Sequence, residues 1–354
     1  MSEAVALGMI VRNEARCIER CLHSAKPWVD EMLVLDTGST DATRELAAAC
    51  GARVLSADWA DDFSAARNRA LAATEAPWRL ILDADEWIAG GQASLAALRD
   101  EPPAFVGLIT VSSQVEADGG LLQEAPSWLP RVLPAGVRYE GRIHEQPASP
   151  LPRRRLPLVL GHDGYLAASQ QAKAGRNERL LRLALAEQPH DAYLHYQLGK
   201  DLEVRSRFAE ALPCYEEAHR RGEPGAAWRH DLVVRLLFTL KKTHRFDAAL
   251  ALAQAEQSRW QDSPDFFFTL GDLLLDCALA QPAFAAALLP RIEAAWQRAV
   301  AIGERPELPD SVRGRGSFLA AHNLAAFHHS LGQEAQARTW RERAAQWRAA
   351  AATK

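Results

Sequence analysis

The first 165 residues alternate short apolar runs with longer stretches of mixed polarity. Apolar runs of strand length occupy residues 5–11, 31–36, 52–55 and 78–83, and a helix-like segment separates each run from the next. Because the runs have no polar alternation, they predict strands that are covered on both faces of a mostly parallel sheet. Ligands of such sheets bind beyond the carboxyl ends of the strands. We therefore expect the polar residues that follow the runs to collect at one edge.

The pattern changes after Asp83. Prolines recur at positions 126, 130, 134, 147, 150, 152 and 157, which argues against long helices and predicts short strands and loops that close over the same edge. From about Ser169 the chain has a helical period to its end. This change predicts two domains, residues 1–168 and residues 169–354.

The helical half also repeats itself. The small and aromatic positions of a tetratricopeptide unit are present at the required spacings: Leu198, Gly199, Phe208, Ala211, Tyr215 and Ala218. Weaker copies occur at residues 245–253, 270–271 and 324–340. The pattern predicts a short helical-repeat array of uncertain repeat number. An irregular helical bundle is the alternative, because Leu and Ala spacing serves any packed helix pair.

The composition indicates a globular protein and argues against several kinds of site and partner. Of the 354 residues 48% are hydrophobic and 24% charged, as in globular proteins, and the net charge of -4 gives no basic excess for nucleic acid. The five cysteines are scattered without a Cys-x-x-Cys pair, which argues against a disulfide framework or a structural zinc site. No window reaches the ~18 apolar residues of a membrane span. We expect a cytoplasmic protein without a transmembrane segment.

The strongest chemical signal is the sequence ILDADEW at residues 81–87. On a strand, Asp83 and Asp85 would present two carboxylates on one side, because strand side chains alternate. The two charges repel each other unless a cation neutralises them, and oxygen ligands completed by substrate phosphates suit Mg²⁺ or Mn²⁺. The alternative for an Asp-x-Asp sequence alone is a solvated acidic turn after a strand.

A second acidic turn follows the second apolar run, in VLDTGSTDAT at residues 34–43. Asp36 would leave the strand and point into the crevice, where its carboxylate can accept from a base N–H or a ribose hydroxyl, and Gly38 would let the ligand approach closely. Ser39 or Thr40 would cap the next helix. The alternative is an ordinary strand-to-helix turn.

Six motifs in order resemble a known family: MIVRNEARCIERCL, VLDTGSTDAT, DDFSAARNRALAA, WRLILDADEW, YEGRIHEQ and LGHDGY. Over about residues 4–165 they are similar to the family-two glycosyltransferases of GT-A fold. The resemblance is strongest to the subset with tetratricopeptide-like repeats after the catalytic domain, such as the sublancin-type peptide S-glycosyltransferases. It implies a Rossmann-like nucleotide-diphospho-sugar transferase domain, a UDP-sugar donor and a divalent metal on the Asp-x-Asp sequence.

The resemblance also implies roles for individual residues. Asp36 would contact the uridine, and Asp83 with Asp85 would hold the ribose and the metal. The full set of predicted donor-nucleotide contacts is Arg12, Asn13, Glu14, Asp36, Gly38, Arg67, Asn68, Asp83 and Ala84. His162 would complete the metal shell with Asp83 and Asp85.

Arg67 is suited to a phosphate because its planar fork makes paired hydrogen bonds. The alternative for Arg67 is an arginine on a helix surface, paired with Asp61 or Asp62.

A general base is expected in the sequence GRIHEQ, which contains His144 and Glu145. A sugar transfer that inverts configuration needs a base to take the acceptor proton. We assign this role to Glu145, with His144 or Asp163 as the next candidates. Direct displacement needs no covalent intermediate, so no nucleophilic serine or cysteine is required.

Together these features predict a metal-dependent, inverting glycosyltransferase whose repeats position a peptide or protein acceptor, because repeat arrays suit extended chains. Lipopolysaccharide core or another saccharide is the alternative acceptor. A different class of function is a docking scaffold with an inactive nucleotide-binding domain. The helical half could also mediate homo-oligomerisation.

Overall fold

The computed structural model describes residues 5–117, 121–162, 167–308 and 310–352. The chain divides into two compact units, Met1–Glu187 and Gln188–Lys354. The first consists of a curled sheet with helices packed on it, and the second is helical. The predicted fold class is therefore confirmed.

Four strands form the parallel half of an eight-stranded sheet: β1 Val5–Val11, β2 Glu31–Asp36, β3 Arg53–Ser56 and β4 Trp78–Ile81. They lie in the order β3-β2-β1-β4. β1 is buried on both faces, as its uninterrupted apolar run predicts. The register pairs Val11 with Asp36, and Gly8 with Ile81. The carboxyl ends of these strands thus meet at one edge of the sheet.

The other half of the sheet continues from β4 in the order β7 Leu121–Pro134, β6 Val106–Ala117, β10 Arg153–His162 and β5 Glu86–Gly90, and a separate hairpin pairs β8 Arg138–Glu140 with β9 Gln146–Ala148. The expectation of short strands is wrong for β6 and β7, which have 12 and 14 residues. β4 pairs only with residues 132–134 of β7, so Pro126 and Pro130 lie in the part of β7 that precedes its pairing with β4. Both prolines pair with residues of β6, Pro126 with Ser112 and Pro130 with Leu108, so β7 continues through them.

Helices of the first unit flank this sheet: α1 Ile18–Ala25, α2 Thr43–Ala49, α3 Phe63–Leu71, α4 Ala93–Ala97 and α5 Ala167–Glu187. α1 buries Ile18, Cys21, Leu22 and Ala25, which recur at the spacing of one helix face. The prediction that Ser39 or Thr40 caps the next helix is wrong, because α2 begins at Thr43. The Ser39 hydroxyl instead accepts a hydrogen bond from the loop after β1.

α5 packs on the sheet unit through two ion pairs. Arg179 donates to both carboxylate oxygens of Asp61, at 2.7 and 2.5 Å, and Glu187 pairs with Arg142. The division into units therefore falls after Glu187, whereas the change of sequence period places it at residues 168–169. The period marks where the helix starts, and the ion pairs join the helix to the rest of the first unit.

The second unit consists of helices that pack in consecutive pairs: α6 Ala192–Val204 with α7 Phe208–Arg221, α8 Arg229–Lys242 with α9 Phe246–Glu256, α10 Pro264–Ala280 with α11 Pro282–Ile302, and α12 Phe318–Ser330 with α13 Glu334–Ala352. This arrangement confirms the predicted tetratricopeptide-like region. Throughout the described residues, no helix combines the length and apolar character needed to cross a membrane.

A contact between a glycine and an aromatic residue, which was not predicted from the sequence, is present in the first and third pairs. A Cβ on Gly199 would lie 2.5 Å from the Tyr215 ring, and a Cβ on Gly271 would lie 2.4 Å from Nε1 of Trp296. Ala211 is fully buried on the helix that carries Tyr215. In each of these pairs, the glycine lets an aromatic ring of the second helix lie directly on the first helix.

We expect Gly199→Ala to destabilise the helical unit by about 1–3 kcal/mol, because overpacking against Tyr215 outweighs the better helix propensity of alanine. Gly225→Ala is the matched control in the same unit, since no atom lies within 4 Å of a Cβ at that position. Urea unfolding followed by far-UV circular dichroism measures both variants. Equal stabilities of the two would contradict the importance of the contact.

Candidate active site

The loops after β1 and β2 are joined at the edge where the parallel strands end. The N–H of Asn13 donates to Oγ of Ser39 (2.9 Å), and Oδ1 of Asn13 accepts from the N–H of Thr40 (2.7 Å). The N–H of Glu14 donates to a threonine hydroxyl at the start of α2 (2.8 Å). Arg12 is exposed at the same edge. Asn13 and Glu14 thus fix the loop that was predicted to face the nucleotide.

Asp36 lies at the end of β2 and is 2% exposed. Its carboxylate accepts from the N–H of Gly38 (3.1 Å) and from the N–H of Ser39 (3.1 and 3.2 Å). Gly38 has φ +103° and open space around it. In the structure the Asp36 oxygens cap their own turn, so a contact with uridine stays a prediction.

The sequence with Asp83 and Asp85 forms a turn over residues 83–86, the acidic turn, and not a strand. β4 ends at Ile81, and the N–H of Glu86 donates to the carbonyl of Asp83 (3.0 Å). Ala84 is buried inside this turn. The prediction that strand alternation places Asp83 and Asp85 on one side is therefore wrong, because the backbone reverses between them. The two carboxylates have different neighbours.

Asp83 is bonded to two arginines. Its Oδ1 accepts from Nη2 of Arg67, and its Oδ2 accepts from Nη2 of Arg131, both at 2.8 Å. Burial alone would raise the pKa of Asp83, but the two guanidinium groups hold it well below its usual range. Asp83 is therefore a fixed anion within the cluster.

Two buried charged residues beside the turn were not predicted from the sequence. Nη2 of Arg131 also donates to Oε1 of Glu86 (2.7 Å), and Oε2 of Glu86 accepts from the N–H of Asp83 (2.9 Å). Burial raises the pKa of Glu86 to about 7, against the opposing charge of Arg131. The sequence feature that could have revealed this pair is Arg131 itself, a lone arginine in the apolar run SWLPRVL. A buried charge needs a partner, so its position implies a nearby carboxylate.

Asp85 lies next to His162. Its Oδ2 is 3.5 Å from Nε2 of the imidazole. The antiparallel register of β10 and β5 pairs His162 with Glu86, and this register brings the imidazole to the acidic turn. Burial alone would lower the pKa of His162, but the hydrogen bond and charge of Asp85 raise it.

The predicted metal ligands are only partly brought together. Within the described ranges no three His, Cys, Asp or Glu side chains are grouped as metal ligands. Asp85 and His162 are neighbours, whereas both oxygens of Asp83 bond to arginines. The carboxylate oxygens of Asp85 are ligands that suit Mn²⁺ and Mg²⁺. The other coordination positions would fall to phosphate oxygens and water.

Arg67 connects Asp83 to the predicted base. It is 7% exposed, and its Nε donates to Oε1 of Glu145 (2.5 Å). The alternative of a surface arginine paired with Asp61 or Asp62 is therefore wrong. Within the described part of the chain, Nη1 of Arg67 is buried without a hydrogen-bond partner. One guanidinium group thus joins carboxylates of two distant sequence motifs.

Asn68 supports the segment that leads to Glu145. Its Nδ2 donates to the carbonyl of Tyr139, and its Oδ1 accepts from the N–H of Tyr139, both at 2.8 Å. This use of the amide favours a structural role for Asn68 over the predicted nucleotide contact. His144 precedes Glu145 and has φ +53°. Asp163, the other candidate base, lies outside the described residues.

The resulting cluster places fixed charges and the candidate base Glu145 in one place. Asp83 and Glu145 share Arg67, and Asp85 lies beside His162 at the same turn. The cluster follows the carboxyl end of β4, at the edge where ligands of parallel sheets bind. Its chemistry suits a displacement in which a phosphate-bearing group leaves and an acceptor loses a proton.

The chain is similar to known proteins along most of its length. Residues 7–146 match the family model described as Glycosyl transferase family 2. A TPR repeat-containing protein of Synechococcus elongatus is 37% identical over 265 residues, which are 71% of this chain and 65% of that protein. The SPbeta prophage-derived glycosyltransferase SunS of Bacillus subtilis is 26% identical over 261 residues, which are 70% of this chain and 61% of SunS. The chain spans less than two thirds of either relative.

A solved structure of glucosyl-3-phosphoglycerate synthase from Mycobacterium tuberculosis, in complex with Mn²⁺, UDP and glucosyl-3-phosphoglycerate, is 27% identical. The match covers 32% of this chain and 44% of that chain, with a TM-score of 0.27. At so low a TM-score the ligands of that complex say nothing about this chain. The family match confirms the resemblance found in the sequence motifs. Residues 7–146 therefore match the glycosyl transferase family 2 model, and a tetratricopeptide-like helical region follows them.

Proposed function

We propose that the protein is a glycosyltransferase that moves a sugar from a UDP-sugar to an acceptor with the help of Mn²⁺ or Mg²⁺. The observation that carries the proposal is the contact of the buried Arg67 with both Asp83 and Glu145. A carboxylate of the acidic turn and a second carboxylate thus belong to one cluster of a glycosyl transferase family 2 domain. This supports donor and acceptor chemistry at a single site.

The donor would lie along the carboxyl ends of the parallel strands. Asp36 and Arg12 would contact the nucleotide, and Asp85 with His162 would hold the cation. A bound divalent cation would neutralise the charge of the departing diphosphate. Arg67 already bonds two carboxylates, so its positive charge is fixed beside the acidic turn before any donor binds.

Glu145 would take the proton of the acceptor hydroxyl or thiol as that atom attacks the anomeric carbon of the sugar. Such a direct displacement inverts the configuration at this carbon. Two cysteines near the turn are unsuited to covalent catalysis. Burial raises the pKa of the Cys17 thiol to about 12 and that of Cys21 well above its ordinary value. This supports a mechanism without a cysteine nucleophile.

A peptide or protein is the proposed acceptor. Consecutive helix pairs such as those of the second unit present continuous surfaces, and such surfaces bind extended chains. In this proposal the helical unit recognises the acceptor polypeptide, while the sheet unit binds the donor.

Release of UDP from a panel of UDP-sugars tests the proposal. We expect release from at least one donor in the presence of MnCl₂ or MgCl₂, its loss with EDTA, and a faster rate with peptide acceptors than without. A faster rate with oligosaccharides than with peptides would show that the acceptor is a saccharide and not a polypeptide. No release from any donor under all conditions would contradict the enzymatic proposal and favour the scaffold.

A further inference from the structure

Two buried charges close the acidic turn from the side of β7. Arg131 Nη2 donates to Oδ2 of Asp83 (2.8 Å) and to Oε1 of Glu86 (2.7 Å). The other oxygen of Glu86 accepts from the N–H of Asp83 (2.9 Å), and the N–H of Glu86 donates to the carbonyl of Asp83 (3.0 Å). The first and last residues of the turn are therefore joined by two direct hydrogen bonds and through one guanidinium group.

The Arg131–Glu86 pair is attached to the most buried part of the sheet. Val132, which follows Arg131, pairs with Leu80 of β4, and both are fully buried. The Arg131 and Glu86 side chains are 11% and 3% exposed. A guanidinium group that is bonded to two carboxylates has little freedom left to lose. The pair thus forms a rigid support rather than a surface for substrate.

Asp85 lies within the turn that this support closes. It lies immediately before Glu86 in the turn, and its carboxylate is 3.5 Å from His162. A change in the backbone between Asp83 and Glu86 would move this carboxylate. In metal sites, partners that orient the ligands are worth on the order of 10- to 100-fold in metal affinity.

We infer that Arg131 and Glu86 are positioning residues that hold the acidic turn in the shape that directs Asp85 toward His162. The inference rests on the proposed function for the identity of the ligand, a divalent cation bound together with UDP. A purely structural ion pair would behave differently, because altering one partner of a buried pair lowers the stability of the fold without a specific effect on a ligand.

Calorimetry with UDP tests this inference in wild type, Arg131→Lys and Glu86→Gln, each in MnCl₂ and in EDTA. Lysine keeps the charge of Arg131 but presents a single ammonium group in place of the planar fork. Glutamine keeps the shape of Glu86 and loses its charge. We expect UDP binding in MnCl₂ to weaken on the order of 10- to 100-fold in both variants, and binding in EDTA to remain at the wild-type level.

Arg79→Lys is the matched control. Arg79 is buried on the neighbouring strand β4 and donates to the carbonyl of Thr74. This substitution should lower the thermal stability without changing the ratio of UDP affinities in MnCl₂ and EDTA. The control therefore separates loss of packing in the sheet from loss of the support of the turn.

Wild-type ratios in both folded variants would overturn the inference. If one variant does not fold, the other decides, and loss of folding in both would overturn the inference by showing that the pair is structural. The proposed function fails at a different point. If the wild-type protein binds UDP no better in MnCl₂ than in EDTA, the proposed cation site is wrong, and this inference is wrong with it.

Discussion

Asp85→Ala should remove the Mn²⁺-dependent part of UDP binding and lower the rate of sugar transfer on the order of a thousandfold. The carboxylate of Asp85 lies 3.5 Å from His162, and the proposed cation loses one of its two protein ligands without it. A catalytic cation stabilises the transition state by several kcal/mol, which corresponds to this factor. Transfer rates with and without MnCl₂ measure the effect.

Asp100→Ala is the control for this substitution. Asp100 lies just after α4 in the same unit, and its side chain is exposed. It should leave the rate and the cation dependence unchanged. An Asp85→Ala protein that remains cation-dependent at the wild-type rate would show that the cation binds elsewhere.

Glu145→Gln should lower transfer to the acceptor by about 10²- to 10⁴-fold, the usual contribution of a general base. Glutamine keeps an oxygen that accepts the hydrogen bond from Nε of Arg67, so the cluster should stay assembled. UDP affinity should therefore change little. Steady-state transfer and UDP calorimetry on the same preparation separate the two properties.

Glu140→Gln gives the matched comparison, because Glu140 is exposed on β8, just upstream in the chain. It should transfer sugar at the wild-type rate. Undiminished transfer in Glu145→Gln would exclude this residue as the base and favour His144 or Asp163.

The sequence predicts the parallel half of the sheet well, because strands covered on both faces need unbroken apolar runs. All four runs form strands, but β3 lies at the edge of the sheet and its residues are exposed or half-buried, so the prediction of cover on both faces is wrong for β3. The ends of β1 and β2 meet in register at Val11 and Asp36. The predicted repeat is also confirmed at Gly199 and Tyr215, because close helix packing requires a glycine beneath the ring. Local periodicity was sufficient for these features.

Features that depend on tertiary partners could not be predicted in the same way. The carboxylates of Asp83 and Asp85 diverge because Glu86 closes a turn, and no period in the sequence reveals that closure. Arg131 reaches Asp83 only because β7 pairs with β4. A buried arginine in an apolar run signals that a partner exists but does not identify it.

Anomalous diffraction at the manganese edge, from crystals soaked with UDP and MnCl₂, tests the central claim most directly. We predict one strong peak between the Asp85 carboxylate and the His162 imidazole, with the diphosphate of UDP beside it. UDP bound with no manganese at this position, or with manganese bound away from the acidic turn, would contradict the account.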